Sequence, residues 1–291
     1  MATALVSETL EGDKLYQQRA RMALPLLIRQ AHAGEPITYE NLAAELGMPN
    51  PRNLNYVLGC IGQSMIAVEK SWGTEVPPIQ CLVVNKNTGL PGEGISEFLG
   101  NLSSYSKLSK RQRRLIVDTE LAKIYSFPSW HKILTLFDLS PAASDFTKLI
   151  HKAQNFRGGG ESKAHKALKE YVASNPKKIG LKGEAIGQQE YRLPSGDSID
   201  VLFEFRTEYV AIEVKPASSK DADLTRGIYQ CVKYQAVLEA MQRTTDKKIN
   251  LRTILVIAGE LSSSLIALKN ILGVEVIENV TCPDTLDVAP G

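Results

Sequence analysis

Three strand-like segments, residues 188–193, 198–205 and 209–215, follow one another with only Pro194-Ser195-Gly196 and Arg206-Thr207-Glu208 between them. Connections this short force antiparallel neighbours, because a parallel pair needs a crossover of about a dozen residues or more. In the middle segment Ile199, Val201 and Phe203 alternate with Asp200, Leu202 and Glu204, so the two sets face opposite sides of a sheet. A helical pattern precedes the run at 161–173, with Ala164, Ala167, Leu168 and Tyr171 on one face and lysines on the other. A long helix is expected over 222–241. Residues 251–258 are apolar enough for a strand covered on both faces. A helix at 262–272 and a strand at 274–277 complete the order. The expected class is α/β (α+β), a mixed sheet flanked by helices.

Two acids interrupt apolar strands. Asp200 lies between Ile199 and Val201, and Glu213 lies in Val210-Ala211-Ile212-Glu213-Val214-Lys215. Burying an unpaired carboxylate costs several kcal/mol, so both demand a cation. Glu213 and Lys215 leave the same strand face. A hairpin turning at 206–208 brings Asp200 near Lys215 and within diagonal reach of Glu213. Hard divalent cations take oxygen ligands, and Mg²⁺ typically uses one or two carboxylates with water and phosphate. An ammonium beside such an ion can orient or help deprotonate water and stabilise charge on phosphate.

Asp200 followed by Glu213-Val214-Lys215, within this order of elements, resembles the PD-(D/E)XK nuclease superfamily, with Ile199-Asp200 in place of Pro-Asp. Glu161, at the start of the preceding helix, matches an additional acid of many members. Gln230 and Tyr234 resemble the Gln-x-x-x-Tyr motif of RecB-type members. The resemblance covers roughly residues 155–260 and implies a restriction-endonuclease-like domain that hydrolyses DNA phosphodiester bonds. By that likeness Asp200, Glu213, Glu161 and the carbonyl of Val214 hold Mg²⁺ (Mn²⁺ substituting), Lys215 positions the water, and Gln230 and Tyr234 support the site or contact the strand. Arg226 and Lys233 suit phosphate contact or a solvated surface equally. His165 could orient Glu161 or a phosphate, or serve as a capping or core residue.

The first half reads as three helices, at 15–33, at 39–46 after Thr38, and from Asn50-Pro51 to about Met65, then a strand at 79–84 after Pro77-Pro78. That outline is winged-helix-like, a DNA-binding form; a helical protein–protein module shares it. Pro36-Ile37-Thr38-Tyr39, Gly47-Met48-Pro49 and Pro51-Arg52 resemble the DNA-binding part of alkylguanine–DNA alkyltransferases and their non-catalytic relatives. The likeness implies that Tyr39 approaches a phosphate and Arg52 enters the base stack, with Asn50 and Asn53 beside it. Cys81 aligns with the reactive thiol of that family. Gln80 replaces its proline, and Leu82 and Val83 replace its histidine and arginine, so Cys81 is expected to be an unreactive core residue.

The 291 residues divide, on this reading, into a DNA-binding domain at 1–102, a helical connector at 103–155 and a nuclease domain at 156–291 beginning at the Gly158–Gly160 run. The connector carries a basic helix at 103–127 and a helix at 146–153. A net charge of +2 names no partner. The clusters Lys107, Lys110, Arg111, Arg113, Arg114 and Lys163, Lys166, Lys169 suit phosphates or solvated helix faces. No apolar run approaches the ~18 residues of a membrane span, and the N-terminus has no basic flank before an apolar stretch, so a cytoplasmic location is expected. Four scattered cysteines suit buried free thiols. The expected function is a Mg²⁺-dependent endonuclease of restriction or phage-defence type; double-strand cutting calls for a homodimer. A catalytically silent DNA-binding scaffold and a repair or recombination nuclease are the alternatives.

Overall fold

The computed structural model describes residues 8–99, 105–156, 162–245 and 249–282. The chain divides into two compact units, Met1–Ser144 and Asp145–Gly291. It is a mixed α/β protein.

In the first unit, helix α1 (Leu15–Ala33) ends at Gly34, whose φ of 73° closes the last turn. Strand β1 (Ile37–Thr38) leads into α2 (Tyr39–Glu45), capped by the Thr38 side chain accepting from the Asn41 N–H. Asn50 caps the 3-10 turn Pro51–Asn53 in the same way, and α3 (Leu54–Trp72) follows. The expected strand at 79–84 is instead a 3-10 turn, Ile79–Leu82, and a two-residue strand β2, Val83–Val84. The Cys81 N–H bonds back to the Pro78 carbonyl, which coils the segment before it can extend. β2 pairs in parallel with β1; among the described residues this unit has no antiparallel wing. Helix α4 (Lys110–Ser126) begins at the capping box of Ser109 and Gln112, and α5 (Trp130–Leu136) follows. Leu24, Leu58, Ile61, Ile79, Cys81 and Trp130 share one core, each large apolar side chain contributing roughly 1.5–3 kcal/mol on burial.

The second unit opens with α6 (Thr147–Gln154) and α7 (Lys163–Ser174), the latter capped by Ser162. Strands β3 (Gln188–Arg192), β4 (Ser198–Glu204) and β5 (Glu208–Lys215) form an antiparallel ladder. Helix α8 (Asp221–Arg243) crosses to β6 (Asn250–Ile257), which lies parallel to β5. Helix α9 (Ser263–Ile271) and β7 (Glu275–Ile277) complete a five-stranded sheet in the order β3-β4-β5-β6-β7. Leu168 and Val172 of α7 pack on Val201, Phe203, Ile212 and Val256. On the other face Leu224, Ile228 and Cys231 of α8 cover Leu255 and Ile257, while Tyr234 and Leu238 cover Leu202 and Ala211.

The division between units falls ahead of the glycine run because the segment expected to form a connector belongs to two cores. Trp130 and Ile133 are buried in the first, whereas Phe146 and Leu149 pack with Leu224 and Ile228 in the second. The four cysteines are free and buried.

Candidate active site

The site forms where β4 parts from β5. Their ladder runs from Glu204↔Tyr209 to Val201↔Ile212 and stops; continued by one residue, that register sets Asp200 directly opposite Glu213. The Val214 N–H, denied a ladder partner there, donates instead to Asp200 Oδ2 at 2.9 Å. On the other side, Gln189↔Val201 and Tyr191↔Ile199 leave Glu190 opposite Asp200 outside the pairing, with a φ of 53° that non-glycine residues seldom adopt. The expected alternation therefore breaks: Ile199 packs with Leu202 and Tyr234, not with Val201 and Phe203.

Three charged side chains meet at this break, all buried: Glu213 is 2% exposed, Asp200 8% and Lys215 9%. Lys215 Nζ lies 2.9 Å from Glu213 Oε1 and 3.3 Å from Asp223 Oδ1. The expectation sets Asp200 beside Lys215 and diagonal to Glu213; the register reverses the two, and the Lys215 ammonium pairs with Glu213 and with Asp223 of α8. Tyr234 Oη is 2.9 Å from both Glu213 Oε2 and the Ser198 carbonyl, and Gln230 Nε2 reaches Tyr234 Oη at 3.4 Å. The two motif residues of α8 thus connect in line to the carboxylate. His165 Nε2 lies 3.3 Å from Asp200 Oδ2, placing the histidine of α7 at the site. Glu161 lies outside the described residues.

Burial raises the Glu213 carboxyl, and the Asp200 charge raises it further, against the pull of Lys215 and Tyr234; it is pushed up to about 7. Burial would lower Lys215, but the charge and hydrogen bond of Glu213 outweigh it and the ammonium is held above its ordinary value. Lys215 is therefore a charged donor at neutral pH, suited to orienting water and phosphate rather than taking a proton. The Asp200 hydrogen bond raises His165. Burial and the Glu213 charge raise Tyr234, which stays a neutral hydroxyl.

Among the described residues, no group of three or more His, Cys, Asp and Glu side chains is arranged to hold a metal ion. What the site offers is two hard carboxylates on adjacent strands, the deeper one driven towards protonation by burial and by the other. That donor pair fits Mg²⁺, which needs only one or two carboxylates from the protein. The Val214 side chain points into the opposite core; only its backbone faces Asp200.

Sequence reasoning missed Asp223 and Glu190 and set Lys169 on the solvated face. Asp223, in the first turn of α8, reads as a helix-dipole acid, and nothing local ties it to Lys215. Ser219 donates to its Oδ2 at 2.8 Å. Lys169, assigned to the polar face of α7, is instead buried and paired with Glu190, whose other oxygen accepts from Ser198 Oγ at 2.9 Å. The pairing with Lys169 holds Glu190 below the usual carboxylate range. Lys166 pairs loosely with Glu170.

The residues expected to touch DNA are placed differently from one another. Tyr39 is buried, and its hydroxyl accepts the Gly92 N–H at 2.9 Å; at the start of α2 its ring joins the core of the first unit. The Asn50 side chain is engaged as a cap, accepting the Arg52 N–H at 3.0 Å. Arg52 and Asn53 are exposed on the turn before α3. In the basic stretch, Arg113 bonds the Leu108 and Ser106 carbonyls and Arg114 the Thr88 carbonyl, so both hold loops. In the second unit Arg226 is exposed, its guanidinium 5.9 Å from the Phe156 ring centroid, and Lys233 pairs with Asp197 at 2.8 Å. Cys81 is fully buried, which pushes its thiol far up and leaves it an unreactive core residue. No helix among the described residues is long and apolar enough to cross a membrane. Compared with known protein families, curated proteins and solved structures, the chain matches none.

Proposed function

We propose that the chain is a Mg²⁺-dependent DNA endonuclease, cutting with a restriction-endonuclease-like second unit and binding DNA through its mainly helical first unit. One observation carries the reading: Asp200, Glu213 and Lys215 are buried together where the β4–β5 ladder stops, with Asp200 held by the Val214 N–H and the Lys215 ammonium held against Glu213. The order α7, β3, β4, β5, α8, β6 and the line Gln230–Tyr234–Glu213 support it. Asp200 and Glu213 would hold the ion, with Glu161 and the Val214 carbonyl as further candidates. Bound there, a divalent ion would supply Lewis acidity, lowering the pKa of a water and neutralising phosphate charge.

The side chains do the rest. The Val214 N–H fixes the Asp200 carboxylate, and the Tyr234 hydroxyl fixes Glu213. Lys215, charged and held between Glu213 and Asp223, orients the attacking water and meets the negative charge that develops on the phosphate. Arg52 and Asn53, exposed before α3, are the surface candidates for duplex contact. A restriction or phage-defence role in the cytoplasm, acting as a homodimer on two strands, fits a cutting unit joined to a binding unit.

The test is incubation of purified protein with plasmid and Mg²⁺ or Mn²⁺, beside Asp200→Ala and Lys215→Ala. Nicking or linearisation by the wild type alone supports the enzyme. A DNA-binding scaffold is the second reading, favoured by the closed ion-pair network that Lys215 makes with Glu213 and Asp223. Shifted but uncut DNA with all three proteins would establish it.

A further inference from the structure

Glu190 is the residue of β3 that the ladder leaves out, and its backbone lies at a φ of 53°. A glutamate held there is strained, and such strain persists only where its surroundings enforce it. Lys169 of α7 bonds Glu190 Oε1, and Ser198 Oγ donates to Oε2 at 2.9 Å, so both carboxylate oxygens are engaged. Each partner leads on to a carboxylate of the site. Lys169 stands four residues after His165 on the same face of α7, and His165 Nε2 lies 3.3 Å from Asp200 Oδ2. Ser198 lies two residues before Asp200 on β4, and its carbonyl accepts from the Tyr234 hydroxyl, which also holds Glu213 Oε2.

Asp200 needs such a frame. The β4–β5 ladder has stopped before it, so no backbone pairing with β5 fixes its place. Its Oδ2 accepts the Val214 N–H and faces His165; among the described residues no hydrogen bond reaches Oδ1, the oxygen left for an ion. Where Oδ1 points depends on the β4 backbone at 198–200, and an unpaired residue in a strand is a means of re-aiming the side chains beside it. We propose that Glu190 is a positioning residue acting through Asp200: gripped by Lys169 and Ser198, it clamps the break between β3 and β4 so that Asp200 keeps Oδ1 open to the divalent ion. The inference rests on the nuclease reading for the ion, and on the contacts alone for the orientation of Asp200.

Glu190→Gln keeps the length of the side chain but turns one acceptor into a donor, so it can no longer serve Lys169 and Ser198 together. In the full chain it should weaken Mn²⁺ binding, measured by calorimetry without DNA, about tenfold. In the metal-free protein it should speed exchange of the Val214 N–H, read by hydrogen–deuterium exchange NMR. Ser198→Ala should act in the same direction, and the double variant should lose no more than Glu190→Gln alone, because both act through one clamp. Arg252→Gln breaks the ion pairs with Glu208 and Glu275 at the opposite end of β5. It is the control for general loosening and should leave both measurements at the wild-type value.

A wild type that binds Mn²⁺ and cuts, with Glu190→Gln binding the ion equally well or losing no more than Arg252→Gln, would overturn the positioning role and leave the nuclease reading standing. Faster Val214 exchange in Glu190→Gln but not in Arg252→Gln, in a protein whose wild type neither binds Mn²⁺ nor cuts plasmid, would uphold the clamp on Asp200 and remove the nuclease reading. An unchanged Val214 exchange rate in Glu190→Gln would overturn the clamp whatever the metal does.

Discussion

Glu213 couples the site to the stability of the fold. Its folded pKa, about 7, stands above its ordinary 4.5, so the folded state holds a proton that the unfolded chain releases first. The stability this confers is complete below about 4.5 and is lost as pH rises towards 7, on the order of 3 kcal/mol over the interval. His165, also raised, adds in the same direction, its contribution complete below 6.5 and fading as pH climbs through its folded value. Urea denaturation of the metal-free protein at pH 5 and pH 8 should show the loss, and Glu213→Gln should remove most of it. Asp223 gives a second prediction. Asp223→Asn weakens the hold on Lys215 without touching the carboxylate pair, so turnover should fall about tenfold, while DNA affinity measured with EDTA stays unchanged. The acids at 200 and 213 were legible because each breaks an apolar strand. Asp223 and the burial of Lys169 were not, and His165 was named without its Asp200 partner, since the partners lie on other elements and no local pattern names them.

At the scale of elements, α8 lies against β5 and β6 closely enough that Gly227 has no room for a side chain. A Cβ there would stand 2.8 Å from Leu255 Cδ1 and 3.1 Å from Lys215 Cε. Gly227→Ala should therefore cost about 1–3 kcal/mol, read in thermal unfolding, and it should slow cutting by pushing the lysine stem aside. The second unit's order of elements was readable because periods of 2 and 3.6 alternate with short turns. Two features were hidden for a physical reason. The two-residue pairing of β1 with β2 carries no period at all. The break at Asp200 depends on a side-chain oxygen replacing a backbone acceptor, which alternation cannot foretell.

At the scale of the whole molecule, the sequence reading sets the last border at the Gly158–Gly160 run. The glycine run looks like punctuation, yet the cores decide, and Phe146 and Leu149 belong to the second. A fragment covering 145–291 should unfold cooperatively, whereas one beginning at 156 should lose about 2 kcal/mol or more with those two side chains; circular dichroism melts of the two fragments would tell them apart.

The sealed thiols have a practical consequence. Cys60 and Cys81 are buried in the first unit, Cys231 and Cys282 in the second. None can meet an alkylating reagent until its surroundings open, so each pair is a built-in clock for its own half. Mass spectrometry of timed alkylation would then report separately how often each half breathes, and whether bound nucleic acid stills one of them before the other.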